Sequence, residues 1–192
     1  MKTRSVVVML CAALAAAGAG RAVACGYHPG LSADTFDAVH PNSLAVAVAL
    51  HRAQGAGVLP AEPAAPGLRG FPGEDYRRAV RNLQALQARL DQLAAAPGAD
   101  GAVRFSLVFV RTRLWSQYTV RPDGASVDIH SPAAAKGETV VLSDESVLSA
   151  IEDGRLAFSA ALNQGLVQIA DDPGERARIV LAAAFETASA GQ

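Results

Sequence analysis

Residues 74–98, EDYRRAVRNLQALQARLDQLAAAPG, constrain the fold more than any other stretch. Tyr76, Val80, Leu83, Leu86, Leu90 and Leu93 recur every three or four positions, which predicts a helix with one apolar stripe. Arg77, Arg78, Arg81, Arg89 and Asp91 fall mostly off that stripe. Glu74 and Asp75 suit the helix start, and Pro97-Gly98 ends it. The stripe is too short for a coiled coil, so it needs a sheet to lie on.

The sheet follows at once. Residues 102–112 alternate around Val103, Phe105, Leu107 and Phe109, and residues 114–120 are rich in strand formers. Pro122-Asp123-Gly124 marks a hairpin turn, and residues 125–131 alternate again. Residues 138–143 and the short run LVQIA predict two more strands. Between these two lie two short helices. Ser143 is the expected N-cap of the first and Gly154 its stop, and Gly165 closes the second. Asp172-Pro173-Gly174-Glu175 reads as an acidic capping box opening a last helix, with Leu181, Phe185 and Ala188 on one stripe. The expected class is α+β: a mostly antiparallel sheet of about five strands covered by helices.

Ahead of this part, residues 1–24 read as a secretory signal. Lys2 and Arg4 precede the apolar run SVVVMLCAALAAA, and Ala22-Val23-Ala24 fits cleavage before Cys25. Residues 25–54 form a short helical unit. Its segment NSLAVAVALHRAQG alternates like a strand, but its alanines favour a helix. Residues 55–73 are rich in Pro, Gly and Ala and read as a linker to an α+β domain at 74–190. No later apolar run is long enough to cross a membrane, so the mature chain is expected to have no transmembrane segment. Loss of the leader removes Lys2, Arg4 and Arg21 from the 17 Lys+Arg, leaving 14 against 18 Asp+Glu, a formal charge of −4. With no basic patch, nucleic acid is not an expected partner.

The order of long helix, strands, two short helices, strand and helix, with TVVLSDESVLSAIEDGRLAFSAALNQGLVQIADD at 139–172, resembles the sterol carrier protein type 2 family. The matching residues are Ser143-Asp144-Glu145, Gly154-Arg155-Leu156, Ala161, and Gly165 through Ile169. Gln168 stands where that family has lysines, and Ala170 where a second Gly is usual. The resemblance implies a five-stranded sheet under helices, with an apolar tunnel for lipid between them. The start ACGYH also looks like a group of bacterial exported proteins without assigned activity.

Three further constellations matter. Cys25, His28 and His40 carry a thiol and two imidazoles suited to copper or zinc, with Asp34 or Asp37 as oxygen donors. They would make the protein a periplasmic metal binder; packing histidines in a loop are the alternative. His51 lies ~12 Å along the predicted helix axis, too far to join His40. Cys25 is also a candidate for lipoprotein anchoring, although Arg21 intrudes and Ala22 replaces the usual Leu. Left unmodified, it is a lone thiol that can pair with another chain. Asp128 and His130 share one face of a predicted strand, but no nucleophile elbow exists, and a solvated sheet face explains them better. Glu145 and Glu152 read as helix-start and surface charge.

The expected function is therefore export to the periplasm or beyond, followed by non-catalytic binding of an apolar, lipid-like ligand without a cofactor. Leu83, Leu86, Leu90, Phe105, Phe109, Trp115, Leu148, Ile151, Phe158 and Phe185 are its expected lining. Docking of an envelope protein through the N-terminal unit is the remaining alternative.

Overall fold

A computed structural model describes residues 40–61, 74–95 and 102–189. In chain order these form α1 (Ser43–Gly55), α2 (Glu74–Ala94), β1 (Val103–Phe109), β2 (Leu114–Arg121), β3 (Gly124–Ile129), β4 (Val140–Ser143), α3 (Glu145–Glu152), α4 (Phe158–Asn163), β5 (Gln168–Ala170), a 3-10 turn (Pro173–Glu175) and α5 (Arg176–Ser189). The strands make one sheet in the order β3-β2-β1-β4-β5. Only β1 and β4 pair in parallel. The class is α+β with a mostly antiparallel sheet, as expected.

Register decides which residues share a face. Phe105 pairs with Tyr118, Leu107 with Val141, Phe109 with Ser143, and Tyr118 with Val127. Paired residues point the same way, and neighbours along a strand point oppositely. Phe105, Leu107, Phe109, Tyr118, Val127 and Val141 therefore lie on the face that meets α2 and α5. Helix α2 runs against β3 and β2, and it touches α3 and α5 at its sides. Its buried residues are Ala79, Leu83, Leu86, Leu90 and Ala94.

The opposite face carries Val108 and Leu142, both fully buried. Helix α1 contacts β4, an interior strand whose front is already covered, so α1 lies on this back face. Val46, Leu50 and Ala53 of α1, with Leu59 beyond it, join the same core as the sheet. The helix read as part of a separate N-terminal unit thus shares the core of the α+β part. Its strand-like alternation has a simple cause: Val46 and Leu50 face inward, whereas Leu44 and Val48 are exposed.

Two N-caps depart from expectation or refine it. Asp144, not Ser143, caps α3: its carboxylate accepts from Ser146 N at 3.0 Å and from the Ser146 hydroxyl at 2.7 Å. Ser143 still belongs to β4 and points inward, where its hydroxyl donates to the Leu166 carbonyl at 3.1 Å. Arg111 grips Asp144 through Nε and Nη2, which offsets the burial of that carboxylate. Asp172 accepts from Ala177 N and Arg178 N, so it caps α5 across the 3-10 turn. Glu175 does not close a capping box; its backbone has φ 54° and its side chain faces Arg178. Gly154 and Gly165 stop α3 and α4 with φ 69° and 70°, as expected.

Candidate functional site

The inner face of β1 and β4, together with α2, α3, α4 and α5, lines a small void of about 20 Å³. That volume is room for roughly one water molecule. The surface facing it is apolar, and the one hydroxyl in its wall, on Ser143, is engaged by Leu166. A void without polar partners stays dry, and its walls lack contacts on one side.

Seven of the ten residues expected to line a cavity meet here: Leu86, Phe105, Phe109, Leu148, Ile151, Phe158 and Phe185. Phe158 and Phe185 stack with ring centroids 5.2 Å apart. Leu107, Val141, Val167 and Leu181 complete the wall with Ser143. The alternation of β1 already signalled Leu107, whereas Val167 precedes the short β5 and shows no periodic mark. Leu83 and Leu90 are buried on α2 but lie outside the void. Trp115 pairs with Val108 and so faces the back of the sheet, half-buried. The inward aromatic of β2 is Tyr118, which stacks on Phe105 at 5.1 Å.

A polar ladder flanks the void. On α2, Arg78, Asn82 and Arg89 reach Glu145, Ser149 and Glu152 of α3. The spacing of seven between Glu145 and Glu152 puts both on one face of α3. Glu145 stands in the first turn of α3, as expected, but is buried; Glu152, expected as surface charge, is half-buried. An amphipathic stripe marks where a helix is apolar, but it cannot show that a second helix covers the stripe's edge. Arg78 and Arg89 sit at that edge.

Arg89 binds one oxygen of Glu152 twice, through Nε at 2.7 Å and Nη2 at 2.6 Å. Its guanidinium carbon also lies 5.9 Å from the centre of the Phe185 ring. The second oxygen of Glu152, Oε1, is buried with no hydrogen-bond partner among the described residues. Tyr118 lies close enough to feel this carboxylate. Burial, and secondarily the charge of Glu152, push the Tyr118 hydroxyl well above its ordinary value.

The remaining candidates sit elsewhere. Cys25, His28, Asp34 and Asp37 lie outside the described residues. His40 accepts from Asn42 N through Nδ1 at 3.2 Å. Among the described residues no three metal-ligating side chains gather. His130 lies past the end of β3 with φ 70°, so it does not share a strand face with the exposed Asp128. Instead its Nε2 meets the Tyr76 hydroxyl at 2.6 Å. No described helix is long and apolar enough to cross a membrane.

No protein-family model and no curated protein matches the chain. Among solved structures it is similar to the stereoselective inverting sec-alkylsulfatase Pisa1 from Pseudomonas sp., at 20% identity and a TM-score of 0.39. That match covers 51% of this chain but only 15% of the sulfatase. It is also similar to sterol carrier protein 2-like 2 from Aedes aegypti, at 20% identity and a TM-score of 0.38, covering 55% of this chain and 96% of that one. A crystal structure of sterol carrier protein 2 matches at 18% identity and a TM-score of 0.38, over 56% and 89% of the two chains. At these values neither the sulfatase nor the carrier proteins fix what this chain does.

Proposed function

We propose that this protein is exported and binds an apolar, lipid-like ligand between its sheet and the layer formed by α3, α4 and α5, without catalysis. One observation carries the reading: aromatic and aliphatic side chains from the sheet and four helices converge on a dry void instead of closing on each other. A guest there gains contacts that the walls now lack. The void is far smaller than a lipid, so uptake requires that layer to part from the sheet. Its contacts around the void are apolar and non-directional, whereas α3 is held to α2 by the polar ladder, and Gly154 and Gly165 bound its two short helices. Export rests on the sequence of residues 2–24, and the non-catalytic reading rests on the sequence having no nucleophile elbow.

The experiment is titration of solvent-stripped protein with nile red, followed by displacement with decane. The expected result is a blue-shifted, saturable signal at one probe per chain that decane removes. Val167→Leu, which adds bulk inside the void, is expected to weaken the probe while the circular dichroism spectrum is kept. A probe signal that never saturates, or that decane leaves untouched, overturns the reading.

A further inference from the structure

A second space opens on the back of the sheet, away from the void. Arg104 and Ser106 alternate with the inward Phe105 and Leu107, so they point to this back face, and Gln117 of β2 lies directly opposite Ser106. With Gly137, Glu138 and Thr139 ahead of β4 they line a cleft of about 230 Å³. At ~30 Å³ per water molecule, that is room for a small organic molecule. Ser106 is buried and small, so its side chain leaves the cleft open.

The wall of the cleft holds one cation and one anion, and a neutral group fixes each. Arg104 Nη2 donates to Gln117 Oε1 at 2.6 Å. Glu138 closes its own turn: its N–H donates to the Ala135 carbonyl at 3.1 Å, and its Oε2 accepts from Ala135 N at 2.9 Å. Gly137, at φ 83°, supplies the left-handed step in that turn. Thr139 anchors the other side: its carbonyl accepts from Ser106 N at 2.9 Å, and its hydroxyl donates to the Asp171 carbonyl at 2.8 Å. Among the described residues no ion pair joins Arg104 to Glu138. Nε and Nη1 of Arg104 and Oε1 of Glu138 are thus left for a guest.

We propose that this cleft binds a small zwitterion, a free α-amino acid, with its carboxylate on Arg104 and its ammonium on Glu138. The guanidinium fork matches a carboxylate, and an ammonium brings donors to the Glu138 acceptor. A plain anion would meet like charge at Glu138, and a plain cation would meet like charge at Arg104. A molecule carrying both signs satisfies both walls. Gln117 and the closed turn hold the two charges before binding, so less side-chain freedom is lost when the guest arrives. The site lies on the opposite face of the sheet from the void and does not depend on the apolar-ligand reading.

Amide NMR titration of the full chain with L-alanine, propanoate and ethylamine tests this. Propanoate lacks only the ammonium, and ethylamine only the carboxylate. L-alanine is expected to shift the Gly137, Glu138 and Thr139 amides saturably. It should bind ~10-fold or more tightly than either other probe, the effect of one charge-assisted hydrogen bond. Glu138→Gln should bring L-alanine to within a few-fold of propanoate, and Arg104→Gln should bring it to within a few-fold of ethylamine. If propanoate binds the unaltered chain as tightly as L-alanine, Arg104 acts alone on anions and the proposal is overturned. Equal binding of ethylamine overturns it in favour of Glu138 alone. No saturable shift at these amides through the millimolar range overturns it outright. The comparison among probes uses the unaltered chain, so it holds even where a variant fails to fold.

Discussion

The Tyr118 hydroxyl donates to the backbone carbonyl of Leu83 across 2.9 Å, in a site fully closed to solvent. The bond ties β2 to the middle of α2, the helix that packs on β2 and β3. Tyr118→Phe removes the donor but keeps the ring stacked on Phe105. The Leu83 carbonyl stays within its helix ladder, so little is left unsatisfied. The expected loss is about 1 kcal/mol in urea unfolding, with an unchanged denaturant slope. A loss above about 3 kcal/mol would mean that the hydroxyl also satisfies a second group.

Alkaline pH probes the same residue. The folded Tyr118 hydroxyl titrates above its ordinary value of 10.0, chiefly because it is buried. Below pH 10 both folded and unfolded chains keep the proton, so its contribution to stability is complete. Above pH 10 the unfolded chain releases the proton first. Stability then falls with rising pH, by up to ~1.4 kcal/mol per unit, until the folded value is reached. Wild type is expected to lose stability faster than Tyr118→Phe across pH 10–11.5 in urea titrations. Parallel curves would show that the hydroxyl is reached by water.

Gly124 adopts a backbone conformation that disfavours a side chain. Its φ is 140°, and a Cβ there would lie 2.8 Å from Asp91 Oδ1. The same oxygen accepts from Ala125 N at 2.9 Å, and Gln87 donates to the Ala125 carbonyl at 3.1 Å, so α2 holds the β2–β3 turn by its backbone. Gly124→Ala is expected to cost about 2–4 kcal/mol, from the strained φ and the clash together. In an Asp91→Ala background the cost of adding the methyl should fall, because only the φ part remains. A double-mutant cycle on thermal or urea unfolding measures this; full additivity would refute the clash.

Much of this architecture is written in periodicity. The stripe of residues 76–93 and the alternation of Val103, Phe105, Leu107 and Phe109 name the faces that meet. Leu86, Phe105, Leu107 and Phe109 of the wall follow from those faces alone. What periodicity cannot show is partnership. Arg89 and Glu152 look like solvent charges along their own helices, and only the packing of α3 beside α2 brings them together. Trp115 fails for a related reason. β2 has β-favouring residues on both faces, so choosing between Trp115 and Tyr118 needs the register with β1. Ser143 is misread as a cap because strand and helix join without a loop, which leaves two adjacent residues able to play the role.

Leu148 tests the void directly. It is buried on α3 and forms part of the wall. Leu148→Ala removes wall contacts and enlarges the space next to Ile151 and Phe158, so the unliganded protein should lose about 2–5 kcal/mol. A larger dry cavity also admits a bigger guest with less movement of the helices. Saturating 1-decanol should therefore raise the melting temperature of Leu148→Ala by more degrees than that of wild type, since binding to the folded state alone stabilises it. Differential scanning calorimetry with and without decanol reads both effects. An equal or smaller rise in the variant would mean that ligand does not occupy this space, and the binding site would have to be sought away from the sheet–helix layer.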